Sequence, residues 1–422
     1  KSDRYSRAKL NADIESMRSY YLTRGYLEFK VDSTQVSILP NKTDIAITIN
    51  VSEGERYVVS GVKLDGNYLG KDDEFKSLVT IRPGQAYNAD EVASTTKAFS
   101  DYFCNFGYAF AQVQARPEID RSNNRVVLVL QADPSRRAYV RKINVAGNTR
   151  TRDVVVRREF RQFEASWYDG DKIKLSRDRV DRLGYFKEVG IETQEVPGSP
   201  DQVDLTMTVT EKPTGSVSFG AGFSSGDGFG FSFGLKQENA FGSGNSLGVE
   251  VNTSKTNRVI VFNTTDPYFT ADGVSRTIDL YRRTTSPFQD PNYYKIQSSG
   301  GSLRFGVPFT EIDTVYFGAG IENTTIVPGT SLPTAYKDYA DQYGYSSSAV
   351  PLTIGWARDS RDSALAPNSG RLQRANAEWS VAGDARYLRA TYQFQEYIPL
   401  NKQFTVAFNA DVGVGAAIYL QE

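Results

Sequence analysis

Hydrophobic positions follow two different periods along the chain, and the change falls at Glu211-Lys212-Pro213-Thr214-Gly215. Ahead of that seam, Leu10, Ile14, Met17 and Tyr21, and again Val92, Thr96, Phe99 and Phe103, are spaced by three and four, which predicts helices with one inward face. Each helical stretch closes near a Gly-Tyr pair, Gly25-Tyr26, Gly107-Tyr108 or Gly184-Tyr185, where glycine suits a left-handed stop. Tyr5, Tyr87 and Trp167-Tyr168 open the same cassettes, so the front half reads as repeats of roughly eighty residues. Extended runs follow, such as Gln35 to Leu39 with Ile45 to Val51, Val126 to Leu130, and Val203 to Val209, and the polar turns beside them predict hairpins. A further recurrence, Val58-Val59-Ser60-Gly61-Val62-Lys63-Leu64-Asp65-Gly66-Asn67 against Tyr139-Val140-Arg141-Lys142-Ile143-Asn144-Val145-Ala146-Gly147-Asn148, marks an opening strand in the second and third repeats. A complete repeat is therefore strand, helix, helix, strand, strand. The first shows only its helix and hairpin, so the chain is expected to begin inside a repeat.

Behind the seam the period becomes two. Val217, Phe219, Ala221 and Phe223 alternate with Ser216, Ser218, Gly220 and Gly222, and Phe229, Phe231, Phe233 and Leu235 continue the pattern. Repetition as far as Phe404, Val406, Phe408, Ala410 and Val412 predicts about eleven strands. Their connections alternate in kind. One set is compact and aromatic or proline-bearing, as in Ala240-Phe241-Gly242-Ser243-Gly244 and Val307-Pro308-Phe309. The other includes the long polar stretches Arg283 to Gln297 and Ile326 to Ser348. Short turns on one rim and long loops on the other predict an antiparallel transmembrane β-barrel. An odd strand number leaves such a wall incomplete, so further strands are expected beyond Glu422 or from another chain.

Composition narrows the chemistry. The formal net charge of −1 gives no bulk attraction to nucleic acid, and no run of apolar residues is long enough for a spanning helix. Histidine is absent, which removes histidine-dependent hydrolysis and the commonest metal ligand. No Cys/His metal cluster, phosphate-cradling glycine loop or Gly-Xaa-Ser-Xaa-Gly elbow is found, so no cofactor, metal or catalytic residue is expected. Cys104, the one cysteine, lies among Tyr102, Phe103 and Phe106 and reads as a packed thiol. Lys1 to Tyr5 lacks the apolar core of a secretory signal and reads as a processed or truncated start.

The runs Glu53-Gly54-Glu55 to Gly66-Asn67, Tyr139 to Asn148, Val156-Arg157-Arg158-Glu159-Phe160-Arg161-Gln162-Phe163-Glu164 and Val196 to Asp204 resemble the BamA family, central subunits of outer-membrane β-barrel assembly machineries. Arg358-Asp359-Ser360-Arg361-Asp362 with Pro367 and Gly370 is similar to a turn of the wider surface-antigen barrel superfamily. The resemblance implies α+β POTRA repeats over 1–57 (third), 58–136 (fourth) and 137–212 (fifth), then the first part of an outer-membrane barrel over 213–422. It also implies a non-enzymatic assembly factor in the bacterial outer membrane, with its POTRA domains in the periplasm. The expected partners are unfolded outer-membrane β-barrel clients, accessory lipoproteins, periplasmic chaperones and outer-membrane lipid. A polypeptide translocation pore of the same superfamily, or an outer-membrane hydrolase, is the alternative.

Two sets of site residues follow. Gly215, Ser216, Val217, Ser218, Phe219, Gly220, Ala221, Gly222 and Phe223 form a weak edge at which a client strand is expected to pair. The same glycines equally suit curvature and close packing in a barrel wall. Arg157 and Glu164 occupy positions that in the resembling family contact an accessory lipoprotein. Seven residues apart on a helical pattern, they are expected to share one face, although ordinary solvated charge accounts for them as well.

Overall fold

The computed structural model describes all residues except 1–4, 42, 226–227, 287–292, 363–366, 402 and 419–422. Parts of the predicted start, of the Arg283 to Gln297 loop and of the C-terminal strand's continuation therefore lie outside the described residues. The chain folds as two compact units. One comprises Lys1–Gly147, Arg157–Leu183 and Glu188–Val209, and the other Asn148–Val156, Gly184–Lys187 and Thr210–Glu422.

In the first repeat, α1 (Arg7–Leu22) precedes an antiparallel hairpin of β1 (Lys30–Ile38) and β2 (Ile45–Ser52). The apolar stripe of α1 is only half covered, and none of its residues is buried. The second repeat runs β3 (Val58–Gly66), α2 (Asp72–Ser77), α3 (Ala89–Cys104), β4 (Gln112–Asp120) and β5 (Arg125–Asp133). Its sheet has the order β3-β5-β4, with β3 parallel and β4 antiparallel to the central β5. β5 is covered on both faces, which explains its nearly unbroken Val-Val-Leu-Val-Leu run. Phe75, Phe99 and Phe103 from the helices close over Leu130 and Tyr68 to make the core. Full burial of such a ring contributes about 2 to 3 kcal/mol.

The third repeat runs β6 (Tyr139–Ala146), α4 (Asp153–Arg157), β7 (Ser166–Trp167), α5 (Gly170–Arg182), β8 (Phe186–Val196) and β9 (Ser199–Glu211), with sheet order β7-β6-β9-β8. The recurring Gly-Asn corners have a steric cause. A Cβ on Gly66 would lie 2.2 Å from the Ala132 carbonyl oxygen, and one on Gly147 would lie 2.0 Å from that of Val209. Both glycines also have φ near +90°, closed to most side chains (+93° and +88°).

The second unit is dominated by one antiparallel sheet of eleven strands in sequence order. These are β10 (Gly215–Ser224), β11 (Gly228–Ala240), β12 (Asn245–Thr253), β13 (Asn257–Asp266), β14 (Ser275–Thr285), β15 (Tyr294–Pro308), β16 (Asp313–Pro328), β17 (Ser346–Asp359), β18 (Gly370–Gly383), β19 (Tyr387–Pro399) and β20 (Thr405–Ala417). Register puts Phe219, Phe233, Val251, Ile260, Leu303, Phe317, Ile354 and Tyr392 on outward rows, while Tyr281, Arg304, Glu322, Glu378 and Arg389 face the opposite side. The wall is apolar outside and polar inside, as a membrane barrel requires. The polar stretch between β16 and β17 is not all loop, because α6 (Thr334–Tyr343) lies within it. Its alternating Tyr336, Tyr339, Ala340 and Tyr343 already had helical spacing.

Candidate functional site

The predicted edge residues Gly215 to Phe223 are all in β10, the first strand of the eleven. β10 pairs with β11 through an unbroken register, from Gly215 opposite Gln237 to Ser224 opposite Gly228, and has no partner strand on its other side among the described residues. Its outward row is bare: Val217, Phe219 and Phe223 are 67%, 72% and 80% exposed. Its inward row is nearly without side chains, since Gly220 faces Ser232, Ser218 faces Gly234, and Gly222 faces Gly230. Among the described residues, the strand that pairs with β10 is β11.

The three glycines are not equivalent. A Cβ on Gly215 would meet the flexible end of Gln237, and one on Gly220 would approach the Ser232 hydroxyl at 2.5 Å. Around Gly222 nothing lies within 4 Å of a Cβ, so neither crowding nor a positive φ demands glycine there. Among the described residues no packing contact accounts for glycine at 222, where it lowers strand propensity.

The base of β10 is held far more firmly than its far end, by residues the sequence did not single out. The Glu211 carboxylate accepts hydrogen bonds from the Thr151 amide (2.7 Å), the Arg150 amide (3.0 Å) and the Thr149 hydroxyl (2.8 Å). Burial pushes this carboxyl up, but those donors together outweigh it and hold it below the usual glutamate range. Beside it, buried Asn239 donates to the Thr151 hydroxyl (2.8 Å) and accepts from the Gly244 amide (2.7 Å). Arg152 donates its amide to the Gly242 carbonyl (3.0 Å), and the Tyr185 hydroxyl donates to that of Gly244 (3.2 Å). A Cβ on Gly242 would lie 2.0 Å from the Arg150 carbonyl oxygen, and its φ is +69°. Thr214, one residue before β10, accepts from the Glu238 amide (3.0 Å). The signal in the sequence was Asn239 ahead of a Gly-Xaa-Gly turn, a side chain suited to closing such a turn upon itself.

Arg157 and Glu164 come together, but not as expected. α4 ends at Arg157, and Glu164 lies in the turn before β7, so no helix face carries both. Both reach the backbone of Ile143 in β6 instead. Arg157 donates to its carbonyl (2.9 Å), Glu164 accepts from its amide (2.8 Å), and the two charges stand 3.9 Å apart. β7 covers only Tyr139 and Val140 of that strand, and this pair occupies the edge beyond it. Phe163, next to Glu164, is largely exposed.

Among the described residues no group of His, Cys, Asp or Glu could hold a metal, and Cys104 is a half-buried thiol pushed up to about 11 by burial.

Two family models cover most of the chain. The Omp85 superfamily domain matches residues 239–421, and the surface antigen variable number repeat, POTRA, matches 1–54, 57–134 and 138–212. The outer membrane protein assembly factor BamA of Neisseria meningitidis is 34% identical over 98% of this chain and 54% of its own length. The chain belongs to the BamA family. BamA of Buchnera aphidicola is 32% identical over 63% of this chain and 43% of its own length. The crystal structure of BamA from Haemophilus ducreyi lacking POTRA domains 1–3 superposes with a TM-score of 0.65 at 26% identity, over 86% of this chain and 71% of that one. The chain thus spans about half the length of the two BamA sequences it matches. As in the BamA family, its barrel domain belongs to the bacterial outer membrane and its POTRA repeats to the periplasm.

Proposed function

We propose that the chain is the repeat-and-barrel part of an outer-membrane protein assembly factor, which folds β-barrel clients into the membrane by lending them the flank of β10 that faces away from β11 as a template. The observation that carries this reading is β10 itself, the first strand of the wall, whose one ladder among the described residues is to β11 and whose inward row is almost without side chains. Half of the backbone groups in a ten-residue strand point away from β11. Each costs several kcal/mol if left bare in hydrocarbon. That cost favours capture of an arriving strand, and each captured strand presents a new edge for the next. Low propensity at Gly220 and Gly222 keeps the pairing reversible, so a finished sheet can leave.

The decisive experiment places the full-length protein in liposomes and follows an unfolded barrel client as it becomes protease-resistant. A disulfide joining β10 to the strand that closes against it should stop insertion, and reduction should restore it. Undiminished insertion in the oxidised state would sink the proposal, and export of a soluble passenger without insertion would favour a translocation pore.

Clients in this reading reach the barrel past the POTRA repeats, whose exposed strand edges suit extended chains handed on by periplasmic chaperones. Residues 1–57, 58–136 and 137–212 act as the third, fourth and fifth repeats of the whole protein. Arg157 and Glu164 fix the β6 edge and display Phe163 for an accessory lipoprotein. Arg157→Ala with Glu164→Ala should lower co-purification of that lipoprotein at least about tenfold, as expected when charge-assisted bonds are lost. Unchanged co-purification would remove these residues from the interface.

A further inference from the structure

The outward face of β13, β14 and β15 holds four cations that strand pairing does not use. Arg258 stands opposite Thr284, Ile260 opposite Arg282, and Thr284 opposite Gln297, so these side chains and Lys295 share one face, with Lys255 in the adjoining turn. They line a groove of about 310 Å³. The same face carries Ile260 and Leu280, each about half exposed, and is the lipid side of the wall.

None of Lys255, Arg258, Arg282 and Lys295 has a carboxylate within ion-pair distance among the described residues. The outward rows of the three strands carry no acid short of Asp266, at the opposite end of β13.

Depth makes this arrangement costly. Along β14 the outward row reads Arg276, Ile278, Leu280, Arg282. That span is roughly 20 Å along the strand at about 3.3 Å per residue, and a barrel tilt of about 40° leaves roughly 15 Å of height against an apolar band of about 25 Å. Arg276 is engaged over the Phe269 ring at 4.4 Å, at the end near the short turns. β10 starts from the periplasmic repeats, so successive turns place the Ser254–Thr256 turn and its cations at the outer rim. Arg258 and Arg282 then lie where the hydrocarbon would begin, and an anion drawn down from the lipid would offset the cost of their charge. The Ser286 amide donates to the Thr256 carbonyl (2.7 Å) and holds the two sides of the groove together.

We propose that this groove binds an anionic, phosphate-bearing lipid headgroup of the outer leaflet. The guanidinium forks of Arg258 and Arg282 grip the phosphate, Lys255 and Lys295 complete the charge, and the acyl chains lie along Ile260 and Leu280.

The test uses full-length protein in nanodiscs of phosphatidylcholine doped with phosphatidic acid, released and weighed with its retained lipid by native mass spectrometry. Wild type should keep phosphatidic acid selectively. Arg258→Gln with Arg282→Gln should retain it at least about tenfold less, as the loss of two charge-assisted bonds implies. Arg283→Gln with Arg304→Gln removes the same charge from the inward rows and should retain it as wild type does. Equal retention in the outward pair, or equal loss in the inward pair, would overturn the site. Displacement by inorganic phosphate as effective as that by phosphatidic acid would overturn the lipid as its occupant. Should the arginine pair fail to fold, Lys255→Gln with Lys295→Gln replaces it, with the same loss expected and the same reversal if retention is unchanged.

Discussion

At the scale of single residues, Glu211 concentrates the most consequence in the fewest atoms. It closes β9, four residues before β10 begins, and three donors from Thr149 to Thr151 converge on its carboxylate. A carboxyl held below its unfolded value of about 4.3 stabilises the fold fully above that pH, and the contribution is lost as pH falls through the lower folded value. Hydrogen exchange at the Arg150 and Thr151 amides should therefore show protection that is flat at neutral pH and collapses in acid. Glu211→Ala should reduce that protection by about 2 kcal/mol at neutral pH and abolish the acid transition, since bonds to a charged acceptor are worth about 1.5 to 3 kcal/mol. Protection unchanged by the substitution would mean that the turn stands without the carboxylate. Nothing in the residue pattern around Glu211 separates this acid from the chain's many solvated ones. Its role depends on a turn 60 to 61 residues away in sequence, and periodicity carries no such information.

Secondary-structure elements were the most legible level, because membrane strands and repeat helices each impose a period on the side chains they carry. The alternation from Val217 to Phe223 located β10 and its faces correctly, and the recurrence of Gly66-Asn67 in Gly147-Asn148 located two corners where only glycine clears a neighbouring carbonyl. The same reasoning failed for Arg157 and Glu164. A spacing of seven on a polar, basic run mimics a helix, but α4 stops at Arg157, and both side chains turn to the β6 backbone. Sequence spacing also could not choose between the two readings of the β10 glycines, whose surroundings differ from position to position. Gly222→Val adds a branched side chain to open space and should stiffen β10 by about 0.5 to 1 kcal/mol. Gly220→Val meets the Ser232 hydroxyl and should gain less or lose stability. If reversibility of β10 pairing limits turnover, Gly222→Val should slow client release in the liposome assay while leaving client capture intact. Faster release would contradict the weak-edge account.

For the whole molecule, the question is which of β10's two sides must give way. Its ladder to β11 runs unbroken for the length of the strand, while its base is anchored through Thr214 and the Glu211 cluster. A strand fixed at its base and laddered to β11 can exchange partners on its other flank without leaving the sheet. Budding in this scheme proceeds by exchange on the flank away from β11 alone, with β10 and β11 moving as one piece. Ser216 and Lys236 are directly opposed, close enough in an antiparallel pair for a disulfide. Ser216→Cys with Lys236→Cys, oxidised, should therefore insert clients at a rate within about twofold of the reduced form, a difference of less than 0.5 kcal/mol in barrier. Were oxidation to abolish insertion, β10 would have to peel away from β11 during the cycle. The client would then invade between the first two strands, and the flank away from β11 would be only a gate.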